Sequence, residues 1–412
     1  MKKTLLLSLF ISTCTTISSY CQPPTVYHSE NTGASCPPPS LPNPSDLVNY
    51  PMLPDPFAWA NGNGRSTDFN DWECRRNEIK AEIEKYEIGP KPNRPQNITA
   101  TYSDRTLTVH VTENGQTLTL TSNVTIPTSG EGPFPVVIGM NRDTGSLPAA
   151  LFDKAIKIPF HHNQVVKYVS NSTRTLTDPY YKLYPDLTNV GNYSAWAWGV
   201  SRIIDGIEII KKKINADLSH IAVTGCSYAG KMALFAGAFD ERIALTIAQE
   251  SGGGGAPSWR VSETVPGVEK IDNTNFSWFL PNMGSTFSGK ASLLPHDHHE
   301  LMAMVAPRAL LVTGNTDYKW LSNESAYVSA RATEEVYKVL GIADRFGFYI
   351  DGSHGHCVIP ESQIPAIKAF IERFLFEDTT VNTNIHEHPF PDIDYNLWIK
   401  SWKTKTASGP NK

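Results

Sequence analysis

The sequence predicts an α/β protein, a three-layer sandwich in which helices cover both faces of a mostly parallel central sheet. Two observations predict this class. From residue 134 onwards, short apolar runs rich in β-branched residues alternate with segments of helical period, which is typical of parallel βαβ units. Before them, residues 105–126 alternate apolar and polar side chains around Asn114-Gly115, which predicts an N-terminal hairpin.

The first residues predict a secretory leader. Met1-Lys2-Lys3 is followed by the apolar stretch from Leu5 to Ile11 and then by small polar residues, the order found in signal peptides. We therefore expect residues 1–21 to be a signal peptide and the mature protein to be secreted and extracellular. No later stretch reaches the roughly 18 consecutive apolar residues that a membrane span needs, so no membrane partner is expected.

Residues 22–412 are predicted to form a single domain, because no repeat or linker divides them. Residues 22–60, rich in Pro, Ser and Asn, are expected to be extended. The C-terminal segment, residues 379–412, is expected to pack against the rest of the domain at least as far as Trp402. Between them, periodicity predicts strands at 134–140, 165–169, 221–224, 243–248, 308–313 and 346–350, and helices at 195–214, 231–239, 323–340 and 364–376.

The net charge and the cysteine count limit the partners and the cellular compartment that the protein can have. The formal net charge is -5 and no basic run occurs, so nucleic acid is not expected as a partner. We expect a monomer. Outside the leader, four cysteines remain for an oxidising compartment, and they allow three pairings; they are Cys36, Cys74, Cys226 and Cys357.

The segment Gly225-Cys226-Ser227-Tyr228-Ala229-Gly230 resembles the G-x-S-x-G pattern, with a glycine two residues before Ser227 and the small residues Ala229 and Gly230 after Tyr228. It lies between a predicted buried strand and a predicted helix, as the nucleophile elbow of an α/β-hydrolase does. We therefore predict an α/β-hydrolase fold with Ser227 as the nucleophile. The backbone N–H of Tyr228, the next residue, is the expected oxyanion donor.

In this fold the acid and the histidine follow the serine, each after a later strand. Glu250 and Asp317 follow two predicted strands, and His354 and His356 follow another. The run of glycines after Glu250 would let a ligand or loop approach closely. Asp317 holds the more usual position for the acid and stays the alternative.

His298 and His299, in the segment H-D-H-H-E, form a competing histidine cluster. A zinc site usually draws its ligands from one helix face or from thiolates, and thiols in an exported protein are oxidised. We therefore expect these histidines to be structural, and we expect no metal and no organic cofactor.

Ordered motifs along most of the mature chain extend these observations. They are L-P-D-P-F at 53–57, W-E-C-R-R at 72–76, A-W-A-W-G-V-S-R-I-I-D at 195–205, G-C-S-x-x-G-K at 225–231, Q-E-S-G-x-G-G at 249–255, L-P-H-D-H-H-E-L at 294–301 and H-G-H-C at 354–357. In these motifs the chain resembles the glucuronoyl esterases, carbohydrate esterase family 15.

The resemblance implies roles for individual residues. The family places its triad glutamate 23 residues after the serine, which is the separation of Ser227 and Glu250, so Glu250 is favoured over Asp317. It also implies His356 as the base. The family's substrate-binding lysine and tryptophan correspond to Lys231 and Trp320.

The resemblance also implies the disulfide pairing. In the family the cysteine before the nucleophile bonds the cysteine after the histidine, which pairs Cys226 with Cys357 and leaves Cys36 for Cys74.

Two departures from the family pattern concern the site. Many members have arginine directly after the serine, where this chain has Tyr228. Asn275 stands roughly where fungal relatives have a glutamate that contacts substrate.

The sequence thus predicts a secreted serine esterase that cleaves esters between (4-O-methyl)-glucuronic acid side chains of xylan and lignin alcohols. Its partner would be glucuronoxylan or a lignin-carbohydrate ester. Two alternatives stay open: an acetyl xylan or general carboxyl esterase on the same scaffold, and a non-catalytic polysaccharide-binding protein.

Overall fold

A computed structural model describes residues 23–170 and 174–403 of the 412-residue chain. The predicted signal peptide, residues 1–21, lies outside the described residues. The strands are β1 (Asn97–Ser103), β2 (Thr106–Glu113), β3 (Gln116–Asn123), β4 (Phe134–Met140), β5 (Ile156–Phe160), β6 (Ala216–Cys226), β7 (Leu245–Gln249), β8 (Ala309–Asn315), β9 (Phe346–Asp351) and β10 (His386–Glu387). The α-helices are α1 (Phe69–Ile83), α2 (Pro179–Leu183), α3 (Asn192–Ile214), α4 (Tyr228–Phe239), α5 (Trp259–Thr264), α6 (Met283–Phe287), α7 (His298–Ala303), α8 (Asn323–Val339), α9 (Ile364–Phe374) and α10 (Asn396–Lys403).

The central sheet has seven strands in the order β10-β9-β8-β7-β6-β4-β5, and all neighbouring pairs are parallel. Its strands alternate side chains between two apolar layers, as the period of two requires. Val136 and Ile138 of β4 belong to the larger core with α3, α4 and α8, whereas Val137 faces a second core with α9. The predicted three-layer α/β sandwich is confirmed.

The N-terminal hairpin is also confirmed. Strands β2 and β3 pair antiparallel on either side of Asn114 and Gly115, both of which have positive φ, as a tight two-residue turn requires. The preceding strand β1 pairs with β2 and completes a three-stranded sheet that the sequence analysis missed. Helix α3 packs against β1, β2 and β6 and so joins the two sheets.

The strand predicted at 165–169 is wrong. Val165 and Val166 lie in an irregular segment after a single 3₁₀ turn and are buried, with the Val166 carbonyl accepting the indole N–H of Trp196. The β-branched side chains of these two residues therefore reflect burial in a loop, and not the strand that the sequence predicted. The strand beside β4 is β5, which contains Pro159; a proline is tolerated there because β5 is the edge of the sheet.

The other predicted elements are present within a few residues, and their ends have local causes. Helix α3 is capped by Asn215, which adopts the left-handed conformation with φ 52° and donates its N–H to the Lys211 carbonyl, a common way for a helix to end. Trp402 of the C-terminal segment is buried and donates its indole N–H to the Leu53 carbonyl. None of the helices in the described ranges is both long enough and apolar enough to cross a bilayer.

Candidate active site

Ser227 stands in a sharp turn between β6 and α4. Its backbone is at φ 60° and ψ -130°, a strained conformation for a residue with a side chain. A Cβ atom on Gly225 would lie 2.2 Å from the Ala229 carbonyl oxygen, and one on Gly230 would lie 2.4 Å from the Gln249 carbonyl oxygen. Both flanking glycines are therefore required for the turn, which places Ser227 at the wall of an open cleft.

Glu250 directly follows β7 and is buried, and its carboxylate receives several donors. The backbone N–H of Cys357 donates to both carboxylate oxygens at 3.2 and 3.1 Å, and Nε2 of Gln249 donates to Oε1 at 3.2 Å. Nδ1 of His356 lies 2.6 Å from Oε2. These donors replace the water that a buried carboxylate loses, and they fix the carboxylate against the imidazole.

The other two candidates take different partners. The carboxylate of Asp317 accepts the backbone N–H of His354 at 3.1 Å, so its partner is a backbone group and not an imidazole nitrogen. The ring of His354 is nearly buried, with Nε2 at 3.2 Å from Asp351 Oδ1 and Nδ1 at 3.8 Å from Glu250 Oε1. The structure thus brings His356 and Glu250 together and leaves Asp317 beside them as a support of the loop.

His356 is also framed by aromatic rings and by a disulfide. Trp320 packs edge-on against its ring at a centroid distance of 4.9 Å. Cys226 and Cys357 are bonded to each other, as are Cys36 and Cys74, so the pairing implied by the family resemblance is the one in the structure. A ring nitrogen of His356 lies within 4.8 Å of both sulfurs of the first pair, but disulfide sulfurs offer no thiolate to a metal.

The competing histidines contact protein groups in the interior. His298 lies between the Glu87 carboxylate, 2.8 Å from Nε2, and the Gly255 carbonyl oxygen, 2.5 Å from Nδ1. His299 Nε2 lies 2.9 Å from the Pro54 carbonyl oxygen, and burial lowers its pKa to about 4, so its ring is neutral. Both rings are buried, and each lies against a backbone carbonyl oxygen, His298 against that of the glycine-rich loop and His299 against that of Pro54.

The cleft beside Ser227 has a volume of about 680 Å³, and both predicted substrate-binding residues line it. Lys231 is almost fully buried, with Nζ 3.1 Å from Glu269 Oε2 and 4.9 Å from the centroid of the Trp278 ring. Burial lowers the Lys231 pKa, although the Glu269 carboxylate opposes that shift. Trp320 is 41 % exposed at the rim, so a flat apolar face and a buried ion pair meet in one cleft.

Glu269 was missed by the sequence analysis, because it comes from a loop with no periodic pattern and is recognised only by its contact with Lys231. Asn275 also lines the cleft. Its side-chain nitrogen donates to the Val169 carbonyl and its oxygen accepts the Ser277 N–H, so both of its polar ends already have partners.

The family model described as "Glucuronyl esterase, fungi" matches residues 109–341, more than half of the chain. The chain belongs to the glucuronoyl esterase family. A 4-O-methyl-glucuronoyl methylesterase of Cerrena unicolor is 39% identical over 389 residues, which are 88% of this chain and 79% of the relative. One from Hypocrea jecorina is 36% identical over 386 residues, 91% of this chain and 80% of the relative.

Solved structures of the family agree with this fold. A glucuronoyl esterase from Sporotrichum thermophile superposes with a TM-score of 0.82 at 32% identity, covering 89% of this chain and 99% of its own. A serine-to-alanine mutant of the enzyme from that organism, in complex with methyl 4-O-methyl-β-D-glucopyranuronate, gives the same TM-score at 31% identity and covers 90% of this chain and 99% of its own. The α/β-hydrolase fold predicted from the elbow is therefore confirmed.

The two disulfides allow a matched test of their roles. The Cys226–Cys357 bond spans 131 residues and joins the Ser227 turn to the His356 loop, whereas Cys36–Cys74 spans 38 residues near the N-terminus. In the chain-entropy model the two contribute about 5 and about 4 kcal/mol to the free energy of unfolding. We expect Cys226→Ala/Cys357→Ala and Cys36→Ala/Cys74→Ala to lower the melting temperature by similar amounts, measured by calorimetry.

Only the first of these double variants should also lower kcat for ester hydrolysis at a temperature where both are folded, because only it loosens the two loops of the site. Equal kcat values for the two double variants would show that the bond acts on stability alone.

Proposed function

We propose that this chain is a serine esterase that hydrolyses the ester between a (4-O-methyl)-glucuronic acid side chain of xylan and a lignin alcohol. The observation that carries the proposal is the 2.6 Å contact between His356 Nδ1 and the buried Glu250 carboxylate, beside Ser227 in its elbow. Membership in the glucuronoyl esterase family and the uronate ester bound by its Sporotrichum thermophile member support the substrate class.

The proposed reaction begins with the proton arrangement of His356. With Glu250 accepting the Nδ1–H, the other ring nitrogen, Nε2, is free to act as a base. Ser227 Oγ bonds to the carbonyl carbon of the uronate as its proton passes to Nε2. The backbone N–H of Tyr228, in the first turn of α4, donates to the oxygen that becomes negative.

The intermediate then collapses. The bond between the carbonyl carbon and the alcohol oxygen breaks, and the imidazolium of His356 returns its proton to that oxygen. Water attacks the acyl-enzyme with the same base, which releases the uronic acid and restores Ser227. These residues and water supply every proton and electron pair, so the proposed reaction requires no metal or organic cofactor.

The cleft supplies contacts for the sugar. Nζ of Lys231 can donate to ring hydroxyls, and the Glu269 carboxylate that holds it can accept from them. Trp320 offers an indole N–H and an exposed ring face at the rim, next to His356. The cleft is open, which suits a side chain attached to a polymer.

We further propose that residues 1–21 are removed on export and that residues 22–412 act outside the cell as one monomeric domain. Two disulfides within the described residues fit an oxidising compartment. The proposed partner is glucuronoxylan or a lignin-carbohydrate ester. The proposed reaction involves neither nucleic acid nor a membrane.

Replacing the nucleophile tests the reaction. We expect Ser227→Ala to lower kcat for benzyl glucuronate by at least about 10³-fold, because the oxyanion donors and bound sugar cannot by themselves form an acyl-enzyme. Chromatographic release of benzyl alcohol gives the rate, and circular dichroism checks the fold. Retention of more than a tenth of the wild-type rate by a folded variant would rule out Ser227 as the nucleophile.

A second prediction separates the two carboxylates. Glu250→Gln keeps the size of the side chain but no longer stabilises the imidazolium, so kcat should fall by about 10²- to 10⁴-fold with a modest change in KM. Asp317→Asn, the matched change beside the site, should lower kcat by less than about tenfold, because the Asp317 carboxylate accepts from the His354 backbone and not from the catalytic imidazole. A greater loss in the Asp317 variant would reverse the assignment of the acid.

A further inference from the structure

Tyr228, the residue after Ser227, has its hydroxyl at one end of a hydrogen-bonded chain of three side chains. Nδ2 of Asn141 lies 2.8 Å from the Tyr228 hydroxyl and donates to it. Oδ1 of Asn141 in turn contacts Nδ1 of His162. Asn141 directly follows β4, the strand beside β6, so this chain lies at the carboxyl edge of the sheet, where the nucleophile turn begins.

The direction of the protons in this chain follows from His162. Burial lowers its pKa to about 4, so the ring is neutral and carries a single N–H. Its Nδ1 faces the amide oxygen of Asn141, which can only accept, and this places the N–H on Nδ1. Nε2 is buried and has no hydrogen-bond partner among the described residues. Because Nε2 carries no hydrogen in this tautomer, no N–H donor is buried without an acceptor.

With its oxygen occupied by His162, the Asn141 amide presents its NH₂ group to Tyr228. The phenol oxygen accepts this bond, which leaves the phenol's own proton free for another acceptor. Burial raises the pKa of the Tyr228 hydroxyl, and the neighbouring Tyr168 raises it further by a smaller amount. The hydroxyl therefore keeps its proton at neutral pH. The Tyr228 ring packs at 4.7 Å on Tyr168, a residue that lines the cleft together with Ser227.

The reaction proposed above assigns one oxyanion donor and leaves a second one open. The oxyanion hole of an α/β-hydrolase usually combines the N–H of the residue after the nucleophile with an N–H from the loop that follows a neighbouring strand. In this chain that loop begins at Asn141, whose backbone N–H donates to the Phe160 carbonyl at 2.9 Å. Asn141 therefore has only its side chain to contribute, and that side chain contacts the Tyr228 hydroxyl.

We propose that the Tyr228 hydroxyl is a second oxyanion donor and that Asn141 and His162 orient it. Tyr228 then donates to the developing oxyanion from its backbone N–H and from its side chain. Asn141 is a positioning residue, since it acts through the phenol. The inference rests on the proposed esterase function and adds a residue to its transition state.

Tyr228→Phe tests the inference because it removes one oxygen and keeps the ring against Tyr168. Loss of one oxyanion donor typically lowers kcat by about 10²- to 10³-fold. We expect a loss of about 10²-fold in kcat for benzyl glucuronate, with KM changed by less than about twofold, because the contact forms mainly in the transition state.

Tyr337→Phe is the matched control. Its hydroxyl donates to the Arg308 carbonyl in the buried interior, on α8 and away from the cleft. It should lower the melting temperature slightly and leave kcat unchanged. An unchanged kcat in folded Tyr228→Phe would overturn the inference, and a raised KM with an unchanged kcat would show that the hydroxyl binds the sugar instead.

A double-mutant cycle tests the role of Asn141. Asn141→Ala should lower kcat by roughly tenfold in the wild-type background but cause almost no further loss in Tyr228→Phe, since Asn141 acts through the hydroxyl that this variant lacks. Equal losses in both backgrounds would mean that Asn141 supports the fold rather than the phenol. If wild-type protein released no benzyl alcohol from benzyl glucuronate, the proposed function would fail first and this inference would fail with it.

Discussion

The buried carboxylate of Glu250 is the interaction on which the rest of the site depends. It lies at the end of β7 and is 1% exposed, so it needs donors to replace water. It takes them from the His356 ring and the Cys357 backbone, both in the loop after β9. Since Cys357 is also bonded to Cys226, the acid holds the histidine loop and the nucleophile turn together.

The parallel sheet explains why these contacts form. Strands β6, β7 and β9 all end at the same edge, so residues separated by more than a hundred positions in the chain meet there. The turn at Ser227 adds backbone strain, which only the flanking glycines allow. The ends of the strands thus fix the positions of Ser227, Glu250 and His356, and helix α4 and the loops beside them line the cleft.

Much of this arrangement could be predicted from the sequence. The elbow around Ser227 requires small residues within a few positions of the serine. Because these residues are adjacent in the sequence, the pattern can be recognised without a structure. Helix α3 and the N-terminal hairpin were predicted from strong periodicity. The strand predicted at 165–169 was wrong because a run of β-branched residues indicates burial in a loop as readily as in a strand.

Two of the contacts around the nucleophile turn and the cleft could not be predicted from the sequence. Lys231 and Glu269 are 38 positions apart, and Asn141 and Tyr228 are 87 apart. The first pair joins helix α4 to a loop whose path has no periodic signal, and the second joins the end of β4 to the start of α4. Family resemblance could point to Lys231, but Glu269, Asn141 and His162 became visible only as contacts in three dimensions.

The most direct test of the account compares two esters with the same enzyme preparation. The wild-type protein is assayed on benzyl D-glucuronate for benzyl alcohol and on acetylated xylan for acetate. A cleft built from Lys231, Glu269 and Trp320 around a uronate carbonyl should release benzyl alcohol rapidly and little or no acetate, because its buried polar groups stay unpaired without the sugar acid. Rapid acetate release with no hydrolysis of the glucuronate would contradict the account.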